Sequence, residues 1–146
     1  MNASPIVLLV AGILVVQAAM WLAFYRWLKR RMAEVGDGMR RQYGGSGKFV
    51  MEPRSALYRG ADARFGNVKG NGMICLTEEA LVFEKAIGRK IEIRRVEITE
   101  ATVTDWFKGK TSFATGGRHL VIRTRDGNRI GFLVRDAELW AEKVRI

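Results

Sequence analysis

Between Pro5 and Tyr25 the chain reads PIVLLVAGILVVQAAMWLAFY, a run without a charge in which Gln17 is the one strongly polar side chain. As a helix rising about 1.5 Å per residue, it reaches roughly 31 Å, about the thickness of a bilayer's hydrocarbon core. Eleven of its residues are Ile, Val, Leu or Phe, and together they favour insertion by roughly 3–7 kcal/mol. A core helix of a soluble protein keeps a polar stripe, and this run has none. A cleaved secretory signal opens on a basic segment, whereas Met1 to Pro5 holds no Lys or Arg, and the apolar run is longer than a usual signal core. The stretch predicts an uncleaved single-pass anchor, residues 1–28.

Charge sets the expected orientation. Arg26, Lys29, Arg30 and Arg31 follow the span directly, and nothing basic precedes it. Basic flanks stay cytoplasmic, so the N-terminus is expected outside and the C-terminal domain in the cytoplasm, at the inner (plasma) membrane. Trp21, Tyr25 and Trp27 cluster at the same end, where amphipathic rings prefer the headgroup level. Those four basic residues are the expected contacts with anionic lipid headgroups, a nonspecific attraction. Gln17 offers a hydrogen bond to a second copy of the helix, which leaves a homo-oligomer open.

The net charge of +10 is concentrated beside the span, where residues 26–59 hold nine Lys/Arg against three Asp/Glu. Anionic lipid accounts for that placement more locally than nucleic acid does. With no RNP-type aromatic pair or helix-turn-helix, no nucleic-acid partner is expected. One cysteine, Cys75, excludes an internal disulfide.

Residues 29–56 read as a basic juxtamembrane helix and a linker. Leu28, Met32, Val35 and Met39 recur on one helical face. The span either continues as this helix or the segment lies along the headgroups, and Gly36 and Gly38, each weakening a helix by about 1 kcal/mol, mark where it can fray. Gly44 to Gly47 reads as a flexible linker, and Pro53 opposes a helix through Met51–Arg54.

From residue 57 the apolar period falls to two. Candidate strands are Leu57–Phe65, Met73–Leu76, Leu81–Ala86, Lys90–Arg94, Ile98–Phe107, His119–Arg125 and Arg129–Arg135. Asp126-Gly127 is the strongest hairpin signal. At the end, Ala137, Trp140, Ala141 and Val144 fall on one helical face behind Asp136, a good N-cap.

Seven antiparallel strands and one closing helix follow the order of the pleckstrin-homology superfold. Gly72-Met73-Ile74-Cys75-Leu76-Thr77 with Leu81-Val82-Phe83 resembles the G-x-L-x-L-T-x-x-x-L-x-F stretch of bacterial PH-like and GRAM-like domains. Ile91-Glu92-Ile93 with Val96 and Ile98 resembles their next strand, Trp106-Phe107-Lys108-Gly109-Lys110 their fifth strand and turn, and Trp140 their closing-helix tryptophan. The resemblance implies an N-terminal transmembrane helix joined to a mainly β PH-like domain, residues 57–146: seven antiparallel strands in a bent barrel closed by a C-terminal helix. It implies an adaptor or scaffold module without catalytic residues. Phosphoinositide-binding members carry several basic residues in the first hairpin. Here Lys69 alone occupies that loop, with Arg64 before it, so specific headgroup binding is not expected.

Little else suggests chemistry. His119 is a lone histidine, Cys75 sits in an apolar strand, and Glu78-Glu79 fall at a turn. No metal set or phosphate loop is present in the sequence, so neither an enzyme nor a cofactor is expected. The remaining contacts for lipid or a partner are Lys69, Arg89, Lys90, Lys108 and Lys110, with Trp106 or Phe107 exposed. The expected function is a membrane-anchored cytoplasmic binding or scaffold module for a protein partner or the anionic lipid surface. The alternative is a non-catalytic structural subunit of a larger membrane complex.

Overall fold

The computed structural model describes residues 4–46, 49–111 and 117–145. Its first element, α1, is one unbroken helix from Pro5 to Tyr43. An 18-residue window within it has mean hydropathy 2.5, and none of that window is buried. Such a segment fits a membrane anchor or a signal sequence. Of the two courses left open by the sequence, the helix runs on through Gly36 and Gly38. Gly36 is buried, and a Cβ there would lie 3.1 Å from the Met73 Cε. Gly36 thus faces the Met73 side chain, where the docked half of the helix meets β2. A 3-10 turn over Gly44–Ser46 follows, with Gly44 N–H donating to the Arg40 carbonyl. Gly47, the last residue of the expected linker, lies outside the described residues.

Strand β1 then spans Phe49–Ala61, followed by β2 Gly70–Thr77, β3 Ala80–Lys85, β4 Lys90–Arg94 and β5 Ile98–Thr104. Next come the short strands β6 Trp106–Phe107 and β7 Lys110–Thr111, then β8 Arg118–Thr124, β9 Arg129–Val134 and helix α2 Ala137–Arg145. Seven strands form one antiparallel sheet in the order β4-β3-β2-β1-β9-β8-β5, and β6-β7 pair separately.

β1 is central to the sheet and begins at Phe49 rather than Leu57. It pairs with β2 from Phe49 to Tyr58 and with β9 from Ala56 to Ala61. Two irregularities let one strand serve both neighbours. Pro53, which has no N–H for a ladder, sits in the register shift between Met51 and Arg54. Gly60, at φ +114°, sits in the shift against β9. The candidate strand Ile98–Phe107 is likewise interrupted, at Asp105, where β5 gives way to the separate β6–β7 hairpin.

The sheet is not closed into the expected barrel. Its edge strands β4 and β5 do not pair, because the groups between them bond elsewhere. Arg95 N–H donates to the Glu79 carbonyl at 2.8 Å, and its guanidinium to Lys143 O on α2 at 2.9 Å. Arg145 Nε donates to Ala101 O on β5 at 2.9 Å. Thus α2 stands where strand pairing would close a barrel. Ala137, Trp140, Ala141 and Val144 are all buried, the face read from the sequence. Asp136 precedes α2 and its carbonyl accepts from Trp140 N–H at 3.1 Å, but at φ +56° its carboxylate accepts from Arg54, 3.3 Å away.

Two apolar clusters lie on opposite faces of the sheet. The larger joins Tyr58, Phe83 and Phe132, their ring centroids 5.3–5.9 Å apart, to Trp140 and the inward residues of β2, β3, β4, β8 and β9. The smaller joins Val35 and Met39 of α1 to Cys75, Ala80 and Val82. The second half of α1 therefore packs on the outer face of β2 and β3.

Candidate functional site

The basic residues after the span divide into two groups. Arg26, Lys29 and Arg30 point into open surroundings on α1. Arg31 does not: its Nε donates to the Ala86 carbonyl at 2.9 Å, across to the β3–β4 turn. At the other end of the docked segment, Lys90 Nζ donates to the Tyr43 hydroxyl at 2.7 Å and lies 5.3 Å from that ring's centroid. The Tyr43 hydrogen bond holds the Lys90 pKa above its ordinary value. These two side chains, both read from the sequence as surface contacts, tie the helix to the β3–β4 hairpin. Arg89 between them is exposed.

Loop residues 62–69, joining β1 to β2, are held from two sides. Lys108, at φ +49°, donates to Ala61 O at 2.8 Å and Asn67 Oδ1 at 3.1 Å and pairs with Asp62 at 3.5 Å. Arg129 Nε also meets Asp62, at 2.9 Å, and this cation holds the Asp62 carboxyl below the usual range. From the other side, Lys85 Nζ donates to Val68 O at 2.9 Å and stands 4.6 Å from the Tyr58 ring centroid. Burial lowers the Lys85 pKa and pushes the Tyr58 phenol up to about 12. The Tyr58 hydroxyl donates to Gly66 O at 2.6 Å. Lys69 is exposed, and Arg64 pairs with Glu97 at 3.6 Å.

Trp106 and Phe107 face opposite ways, as strand alternation requires. Trp106 is 63% exposed, and Phe107 is buried over Gly131 with the His119 ring 6.3 Å away. Trp106 edges a shallow groove of about 330 Å³ whose cations, Lys108, Arg123 and Arg129, each pair with a carboxylate. Lys110 continues this hairpin through the backbone, opposite Phe107. The structure thus brings Trp106 and Lys108 together and leaves Lys69, Arg89 and Lys90 on a separate rim.

The chemical groups are enclosed. His119 is fully buried, and burial with the nearby Arg59 charge lowers its pKa, against a weaker opposing influence of the Thr104 and Asp105 peptides. Burial pushes the Cys75 thiol up to about 12. Among the described residues, no three His, Cys, Asp or Glu side chains gather as a metal set would.

Sequence reasoning missed the two staples, Arg31 to Ala86 and Lys108 to the β1–β2 loop. Its available signal was the loss of alternation in Met73-Ile74-Cys75-Leu76 and Ala80-Leu81-Val82-Phe83. Strands apolar on both sides require a cover on both sides.

No protein-family profile and no curated protein matches the chain. Among solved structures, it is similar to the crystal structure of the C-terminal domain of an unknown protein from Leishmania infantum. The match has a TM-score of 0.51 at 14% identity and covers 75% of this chain and 98% of that one. At that identity the likeness concerns the fold alone.

Proposed function

We propose that the chain is a membrane-anchored, non-catalytic binding module with a PH-like domain, the N-terminus outside and the domain at the cytoplasmic face. The observation that carries this reading is the continuity of α1. Its first half is apolar on every side and buried nowhere, while its second half is part of the domain's own packing. A segment removed as a signal would have no reason to continue as the same helix into a structural contact. The run Arg26, Lys29, Arg30, Arg31 supports the orientation. The meander from β1 to β4, the return through β5, β8 and β9 to β1, and the α2 cap support the PH-like assignment. Enclosure of His119 and Cys75 favours binding over catalysis.

A reporter at the C-terminus tests the topology. A fluorescent protein that matures only in the cytoplasm is expected to be bright, and a phosphatase active only after export is expected to be silent. An active exported phosphatase overturns the orientation. Crosslinking in cells followed by mass spectrometry then tests the binding role. A partner in variable ratio supports a module, and one at constant stoichiometry supports a structural subunit.

A further inference from the structure

The β3–β4 turn is tied to α1 twice, through Ala86 to Arg31 and, further from the apolar half, through Lys90 to Tyr43. Arg31, whose Nε holds the Ala86 carbonyl, lies about one helical turn beyond Trp27, roughly 6 Å along the axis. The headgroup layer of a bilayer is about 5–8 Å deep on each side. The Ala86 end of the turn, held by Arg31, is therefore the end that stands next to that layer when Trp27 sits within it.

The end of the β1–β2 loop runs beside this turn. Ala86 N–H donates to Asn71 O at 2.8 Å, and Lys85 Nζ donates to Val68 O at 2.9 Å. The two loops form one rim carrying two bare aliphatic side chains, Val68 at 76% exposure and Ile87 at 70%. Lys69 and Arg89 flank them, both exposed. At the other end of β3, where Phe49 pairs with Thr77, the β2–β3 turn carries exposed Glu78 and Glu79 instead. The two ends of β3 therefore differ: cationic and aliphatic at the turn that Arg31 holds, anionic at the other.

Resting on the anchor reading above, we infer that this rim is a second membrane contact. Val68 and Ile87 enter the headgroup layer of the leaflet that α1 leaves, and Lys69 and Arg89 meet its anionic lipids. The occupant is the bilayer, because the rim continues the surface of the span and its charge complements an anionic leaflet. The span holds the domain near the lipid, so a small rim suffices. The contact fixes how the domain is turned on the membrane.

The test uses the full chain in vesicles of phosphatidylcholine and phosphatidylglycerol. Single changes Val68→Cys, Ile87→Cys, Glu78→Cys and Leu14→Cys carry a small bimane label. Cys75 can stay, since its thiol is buried and its pKa is pushed up to about 12. Labels at 68 and 87 are expected to be quenched several-fold more by lipid-borne nitroxide, and several-fold less by aqueous iodide, than the label at 78. Equal iodide access at 87 and 78, with the label at 14 still quenched from the lipid, overturns the rim contact and leaves the anchor standing. A label at 14 open to iodide overturns the anchor and the rim contact with it. Exclusion of iodide at 87 without lipid quenching shows a second copy covering the rim, and also overturns the inference.

Discussion

The two halves of α1 are the same helix in two surroundings. From Pro5 to Trp27 every residue is exposed, including Leu8, Leu9, Leu14 and Val15 at 59–68%. From Leu28 onward the helix is polar on most sides, yet Val35 and Met39 are 4% and 0% exposed. A helix apolar all round has no polar side to give to water, which is the property the proposed anchor rests on. A helix with one apolar stripe needs only one covering surface, which β2 and β3 supply. The second half is a structural member of the domain, so on the anchor reading proposed above the domain is not hung on a loose tether.

The largest test strikes the first half. Leu14→Arg together with Val15→Arg places two charges mid-span at about 2.5–3.5 kcal/mol each, about all that the apolar residues supply. The protein is expected to move from an alkaline-washed membrane pellet to the supernatant. Retention in the pellet would mean that lipid is not what holds this half. The domain core is the counterpart: Trp140→Ala is expected to cost about 3–5 kcal/mol, lowering the thermal midpoint in detergent while the pellet fraction stays unchanged. A midpoint that scarcely moves would contradict the packing of α2.

The docked half should respond more modestly. Met39→Ala is expected to cost about 2 kcal/mol, the low end for a buried methionine, because its cluster is small and open to relaxation. Cys75 lies beneath this stripe, so its reaction with a thiol reagent should accelerate. Met20→Ala, in the first half, should leave that rate unchanged. Equal rates in both variants would break the distinction between the halves.

The smallest effect is a pH dependence. The folded chain keeps His119 below its ordinary pKa, mainly through burial and then through Arg59. The unfolded chain therefore binds the extra proton first, and stability is lost as pH falls below about 6.5. The slope is at most about 1.4 kcal/mol per pH unit. Asp62, Asp126 and Glu138 have lowered pKa values instead, so their contributions are lost only as pH falls through the carboxylate range. His119→Gln should flatten the midpoint between pH 7 and 5 and leave the more acidic loss intact.

Regular segments were legible in advance. β4, β9 and α2 lie within a residue or two of their expected limits, since Ile91/Ile93, Ile130/Phe132/Val134 and Ala137/Trp140/Ala141/Val144 each mark one face. β1 was read as Leu57–Phe65 and spans Phe49–Ala61, because only neighbours on both sides show that Pro53 sits in a register shift within a strand. The site was less legible. Arg31, Lys90 and Lys108 carry the right charge for a membrane surface, but each has a hydrogen-bond partner at least 47 residues away in sequence. No local pattern marks such partners.

The sequence by itself determined the length of the apolar run, the basic residues that follow it, the strand period and the apolar face of α2. Those properties depend on composition and on spacing within one segment. The tertiary structure alone decided that α1 stays unbroken through Gly36, that its stripe covers β2 and β3, and that the sheet stays open beside α2. Each of these depends on which surfaces meet. A glycine that weakens an isolated helix becomes the point of closest approach once Met73 packs against it, and the energy of that contact belongs to neither segment alone.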